Sequence, residues 1–217
     1  RFLPETLDAE SRQPLHPMSL LRGYASVFSH PAFMLLAAGI ALNFNGFFVY
    51  VLSAPMFIIE HLGLGSGGFI WLFGPAVAGM MIGSVLSERV AGRWSQIRTV
   101  ATGFALMFVA VMLNLGVSGL LPPGVPQSVL PIGVFSLGMS IAMPAMSLLA
   151  LELFPARRGM ASSCQSFLQI GLNAVTAGTT APLLWGSTLS LAGGMAMFAA
   201  LGLLTWLLWL RLPKARR

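Results

Sequence analysis

The sequence predicts an all-α membrane protein of six transmembrane helices, and three observations carry that reading. Charged residues make up only 8% of the chain against 56% hydrophobic, where a soluble domain carries roughly 25% charged. The charges are also confined: no Asp, Glu, Lys or Arg occurs in 23–59, 61–87, 99–151 or 159–210. Finally, six crossings place every basic residue on one side of the membrane, and a wrong count would scatter them.

A membrane-spanning helix needs about 20 apolar residues. The first two charge-free windows hold one span each. The last two are long enough for two, provided each folds at its middle. Leu121-Pro122-Pro123-Gly124-Val125-Pro126 supplies a breaker in one, and the stretch Pro182 to Ser190 in the other, because proline lacks an amide donor and glycine is permissive. The predicted spans are 31–58, 67–87, 99–119, 128–153, 161–183 and 189–210. The first is long enough to tilt or bend, with Pro55 as the bend site.

With six spans, both termini and the second and fourth loops share one face. It holds Arg1, Arg12, Arg22, Arg89, Arg93, Arg98, Arg157, Arg158, Arg211, Lys214, Arg216 and Arg217, which are all 12 basic residues. The positive-inside rule makes this face, and both termini, cytoplasmic. Orientation thus accounts for the +6 net charge without a nucleic-acid partner; membrane lipid is the expected neighbour, with an added pull from anionic headgroups.

Before the bundle, residues 1–29 read as a polar cytoplasmic linker. Within it, Met18, Leu21, Tyr24 and Phe28 recur at helical spacing. Two readings stand: an amphipathic helix at the membrane surface, or a plain connecting segment. Residues 30–211 form the bundle and 212–217 a basic tail. The chain begins at Arg1 with a polar stretch and no leader pattern, so a piece of a longer chain is expected.

The spans differ in kind. The third and sixth are nearly pure hydrocarbon and are expected to face lipid. The second is rich in small residues and contains Gly79-Met80-Met81-Ile82-Gly83, a GxxxG spacing that permits close helix contact. The first, fourth and fifth carry polar groups. Two triplets of helices, the second inverted relative to the first, fit this order.

The clearest polar constellation is in the fifth span. Gln165, Gln169, Asn173, Thr176 and Thr180 are spaced 4, 4, 3 and 4 apart and therefore share one helical face. Such a face avoids lipid: it either lines an aqueous cavity or bonds neighbouring helices. In the first span Asn43, Phe47 and Tyr50 share a face near mid-depth. In the fourth, Ser136, Ser140 and Ser147 run alongside Met139, Met143 and Met146, and methionine suits varied apolar ligands. Asn43, Phe47, Tyr50, Ser140, Met143, Gln165, Gln169 and Asn173 are the candidate cavity residues.

Equally informative is what the spans lack. No acid, base or histidine lies deep in any of them, so a proton relay within these spans is not expected. Nor is an intramembrane enzyme, a metal site or a cofactor site. Glu60 and His61 sit at the outer end of the first span and Glu152 at the inner end of the fourth. Cys164 alone excludes an internal disulfide and reads as a packing residue.

Phe2-Leu3-Pro4-Glu5-Thr6-Leu7 followed by Arg12-Gln13-Pro14-Leu15 resembles the central cytoplasmic linker of major facilitator superfamily drug exporters. It is most similar to the Bcr/CflA (bicyclomycin and chloramphenicol resistance) branch. Ser53-Ala54-Pro55 is similar to that branch's seventh helix. Leu153-Phe154-Pro155 with Gly159-Met160-Ala161-Ser162-Ser163 and Phe167-Leu168-Gln169 resembles its loop between helices ten and eleven. Gly83, Glu88, Arg89, Gly92 and Arg93 look like a degenerate form of the superfamily's loop signature, with Ser87 where Asp is usual.

The resemblance implies the carboxy-terminal half of a twelve-helix antiporter of the cell inner membrane. Its partners would be an amino-terminal six-helix half, a small amphiphilic substrate and protons, the coupling acid lying in that other half. A half of a metabolite facilitator and a non-transporting interaction protein are the rival expectations.

Overall fold

The computed structural model describes residues 17–213, which are helical throughout apart from short connections. The linker match at residues 2–15 and the basic tail from Lys214 onward lie outside the described residues. A short helix, α1 (Pro17–Phe28), leads into α2 (Pro31–Leu52). His30 caps α2 by accepting from the Phe33 amide at 3.4 Å, and Pro31 occupies the first turn, where no donor is needed. A π-helical stretch, Met56–His61, then begins at Pro55, so the expected bend is a change of helical pitch at the outer end.

The helices α3 (Phe69–Val90), α4 (Gln96–Leu120) and α5 (Leu130–Glu152) follow. Ser95 caps α4 through the Arg98 amide. Next come α6 (Arg158–Val175), a π-helical segment Thr176–Thr180, α7 (Ala181–Leu184) and α8 (Thr188–Arg211). A reciprocal cap between Ser187 and Ser190 opens α8.

Five helices are long and apolar enough to cross a membrane: α2, α3 with its preceding turn, α4, α5 and α8. The fifth predicted span corresponds to the run Arg158–Leu184, helical from end to end but interrupted by the π segment. Its glutamines and asparagine hold its hydropathy down. The turn expected within the stretch Pro182 to Ser190 falls at 185–187, while Pro182 itself still sits in the first turn of α7. There its missing N–H is harmless, and the chain turns only after Leu184.

Packing is organised around α2 and α5. The principal partners of α2 are α8, α6 and α5, those of α5 are α4, α3 and α2, and α4 also packs on α8. Exchanging α2 with α5, α3 with α6 and α4 with α8 maps this set onto itself. Because each triplet has an odd number of crossings, the second starts on the opposite side of the bundle. The result is the three-plus-three inverted arrangement of a major-facilitator-like half.

Glycines bring the helices around α5 to backbone contact. A side-chain carbon on Gly79 would strike the Gly133 carbonyl, and one on Gly83 would strike Leu137. Gly103 and Gly138 face each other across α4 and α5, each against the other's carbonyl at 2.6–2.7 Å from a hypothetical Cβ. In lipid, where burying apolar surface gains little, such contact is a main source of helix association.

The outward surface is apolar. Phe108, Met112 and Leu113 of α4 and Leu204, Leu207 and Leu208 of α8 are exposed, as expected. Of the five apolar spans the most open is α3, however: 22% of its apolar window is buried, against 61% for α2. Its small residues are spent on α5, leaving Trp71, Met81, Ile82 and Val85 outside.

Gly79→Ala is expected to lower stability by about 1–3 kcal/mol, the usual range for overpacking. Gly116→Ala, where an added Cβ would meet nothing within 4 Å, is expected to be neutral or slightly stabilising. Thermal unfolding of both variants in detergent checks this.

Candidate functional site

The polar face of α6 is turned inward. Gln165, Gln169 and Asn173 are half-buried and Thr176 is buried, whereas Ser166, Ile170 and Ala174 on the far side are exposed. The stripe meets α5 at one end and α2 at the other. Ser147 Oγ of α5 donates to Gln165 Oε1 at 3.1 Å. Asn45 Nδ2 of α2 donates to Asn173 Oδ1 at 2.9 Å, and also to the Ala41 carbonyl on its own helix. Gln169 lies one turn from each of these bonded residues. Asn45 Oδ1 and Thr176 Oγ1 are buried with no hydrogen-bond partner.

Ser140 and Met143 of α5 share a face with Ser147, by their spacing of three and four. Both are half-buried. Ser140 lies against α3 at Gly83, and Ser147 against α6. This face of α5 therefore looks into the seam between the two second helices of the triplets, α3 and α6.

The candidates on α2 lie elsewhere. Asn43, Phe47 and Tyr50 do share a face, and all three are buried. That face is turned to α8 and α4. Asn43 is seated against Gly202 of α8, where a side chain would collide with its amide. Neither amide atom of Asn43 has a hydrogen-bond partner. Tyr50 accepts from Asn114 Nδ2 of α4 at 2.8 Å, and Asn114 also reaches Met195 Sδ of α8 at 3.4 Å. The structure thus separates two polar sets on α2: Asn45 faces α6, and Asn43 with Tyr50 face the third helices.

Asn45 joins the site although it was not among the expected cavity residues. The signal was its two-residue offset from Asn43, which on a helix places the pair about 200° apart. The opposite end of α2, beyond Leu52, holds a further link. Trp185 Nε1 donates to Ser53 Oγ at 3.0 Å, and His61 Nε2 lies 2.8 Å from the Trp185 carbonyl. Glu60 is exposed beside it.

At the end of α3 that carries its charges, Gly83 packs against α5 while Glu88, Arg89 and Arg93 are exposed. Gly92 has φ +74°, a backbone setting that favours glycine and turns the chain after α3. A cleft of about 390 Å³ lies beside this turn, lined by Ser87, Gly92, Trp94, Gln96, Thr99 and Pro144 among others. Gln96 Nε2 donates to Glu152 Oε1 at 3.2 Å, tying α4 to the end of α5. Arg98 lies 4.3 Å over the Trp94 ring, a cation–π contact. A further cavity, about 240 Å³ between α4 and α8, is apolar and lined by Phe104, Phe108, Val111 and Leu203 among others; it opens on the outward face.

No protein-family profile matches the chain. The chain is similar to the multidrug resistance protein MdtM of Salmonella typhimurium. The two are 24% identical over 151 residues, which cover 66% of this chain and 35% of MdtM. The chain therefore spans little more than a third of that relative's length.

Two substitutions separate the buried amides. Asn114→Leu strips Tyr50 of its partner and is expected to destabilise by about 1–2 kcal/mol. Asn43→Leu removes an unpartnered amide at similar volume and is expected to leave stability unchanged or raised. Unfolding midpoints in detergent report both. A double-mutant cycle of Asn45→Ala and Asn173→Ala is expected to show coupling of about 0.6 kcal/mol, typical of interhelical hydrogen bonds in a bundle.

Proposed function

We propose that this chain is the carboxy-terminal six-helix half of a major facilitator multidrug exporter of the Bcr/CflA branch. In this reading it sits in the cell inner membrane with both termini in the cytoplasm. It pairs with an amino-terminal six-helix half and walls one side of a central cavity for small amphiphilic molecules.

The reading is supported most by the inward polar stripe of α6 in an otherwise hydrocarbon bundle. A membrane helix that only anchors has no reason to carry two glutamines, an asparagine and two threonines along one face. The neighbours of the stripe suit an amphiphile. Met143 of α5 is flexible and polarizable, and the stacked Phe44 and Phe48 of α2, centroids 5.5 Å apart, are half-buried. Amide groups can bond a ligand's polar end while these side chains receive its apolar body. The similarity to MdtM agrees with a multidrug cargo.

The substrate wall is assigned to Ser140, Met143, Gln165, Gln169 and Asn173. Asn43, Phe47 and Tyr50 stand behind it and hold α2 against the third helices. The seam bonds, Ser147 to Gln165 and Asn45 to Asn173, are the contacts that rearrange when the halves rock about the substrate. Protons couple through the other half, because residues 31–58, 99–119 and 161–183 hold no acid, base or histidine.

The test uses the full transporter that contains this chain. With Cys164 replaced by alanine, Gln169→Cys is expected to react with a water-soluble thiol reagent, and bound substrate is expected to slow the reaction. Unreactive Gln169→Cys in the folded transporter sinks the cavity assignment. In pump-deficient cells, Gln169→Ala with Asn173→Ala is expected to raise dye accumulation several-fold, and a protonophore is expected to do the same to wild type.

A further inference from the structure

The helix α1 does more than connect. It lies on the cytoplasmic start of α6: Gly23 and Val27 are buried, and Phe28 makes an edge-to-face contact with Phe167, centroids 6.1 Å apart. A side-chain carbon on Gly23 would stand 2.7 Å from Met160 Sδ, so glycine lets the two helices lie close. The other edge is left outside. Met18, Leu21 and Tyr24 are 52%, 63% and 38% exposed, an apolar row on a helix that ends two residues before a membrane span. Such a row belongs at the boundary of headgroups and acyl chains.

Beside this row lies a cavity of about 440 Å³, lined by Met18, Ser19, Arg22, Gly23 and Arg157. The two arginines come from different elements, α1 and the turn before α6. Arg157 reaches back to α1, with its Nη1 3.6 Å from the point where a Gly23 side chain would begin. Among the described residues, no acidic residue lines the cavity and neither arginine makes an ion pair. Arg22 and Arg157 are both exposed and both line this one hollow, and like charges lining one hollow favour an anion between them. Guanidinium forks match phosphate oxygens bidentately.

We infer that Arg22 and Arg157 form a binding site for the phosphate of an anionic phospholipid, with Met18, Leu21 and Tyr24 resting in that lipid's interfacial layer. The exposed apolar row decides for a lipid over a soluble anion: it requires an acyl layer at the depth where the arginines sit. Both residues lie on the face that carries every basic side chain, which the positive-inside rule assigns to the cytoplasm. The site holds α1 down on α6, and so bears on the helix that carries the polar stripe. It exists whether or not the bundle transports.

The chain, or the longer protein containing it, is placed in phosphatidylcholine nanodiscs doped with phosphatidylglycerol, and retained phosphatidylglycerol is counted by native mass spectrometry. Arg22→Gln with Arg157→Gln is expected to cut retention, about fivefold per arginine. Arg211→Gln is the control for general surface charge and is expected to change it little. Arg22→Lys with Arg157→Lys keeps the charge, guards against misfolding, and is expected to keep an intermediate retention. An equal drop in the Arg211→Gln control, or no drop in the double variant, overturns the site. Competition by free inorganic phosphate overturns the lipid assignment. If lipid is retained only after Glu5, Asp8 and Glu10 are neutralised, the occupant is the chain's own acidic segment and the proposal falls.

Discussion

Helices in lipid gain little by hiding apolar surface from one another, so their association rests on how closely their backbones approach. In this bundle that approach is made on α5. Gly79 and Gly83 of α3 lie against the Gly133 and Leu137 carbonyls, and Gly103 of α4 lies against Gly138. These contacts set the position of α5 between α3 and α4 to within the width of a methyl group. Everything polar in the interior is then placed relative to α5. The Ser140–Met143–Ser147 face starts at the Gly83 contact on α3 and runs to the Gln165 bond on α6, so the glycine packing fixes its direction. The α2 side follows the same logic with one glycine against a polar group: Gly202 of α8 admits the Asn43 amide.

The pseudo-symmetry gives those contacts a functional consequence. First helices α2 and α5 sit at the centre, third helices α4 and α8 close the outward side, and second helices α3 and α6 flank the seam. The two flanking helices are not chemically equal. Both have apolar outer sides, with Trp71, Met81 and Ile82 on α3 and Phe167, Ile170 and Val175 on α6, but α6 alone turns a row of amides inward. Symmetry of packing with asymmetry of side chains yields a scaffold whose one flank can bond a polar group and whose other cannot.

Much of this was legible in the residues, for identifiable reasons. Charge exclusion from the hydrocarbon core is a strong constraint, so the charge-free windows mark the crossings almost directly. The spacing of Gln165, Gln169 and Asn173 was equally plain, because a period of 3.6 leaves one face for residues four apart. The direction of a face is a different matter. Asn43, Phe47 and Tyr50 share a face, as their spacing requires, but nothing local says whether it meets α6 or α8. That is decided by Gly202, some 160 residues away. The π segments at Met56–His61 and Thr176–Thr180 were illegible too. A one-residue widening of the turn leaves no mark in composition.

The least apolar helix of the bundle is hydrogen-bonded by neighbours on two sides. The run Arg158–Leu184 stands outside the set of helices apolar enough to cross alone, and its hydropathy is lowered by the same amides that Ser147 and Asn45 engage. In hydrocarbon an unbonded amide is costly, so α6 is held in place by partners rather than by its own apolarity. A helix held this way is easily displaced when a better partner for its amides arrives, since breaking one interhelical bond costs only about 0.6 kcal/mol. The helix with the weakest claim on the membrane is therefore the one suited to respond to a polar ligand. The rest of the bundle, locked through glycine at α5, has no comparable freedom.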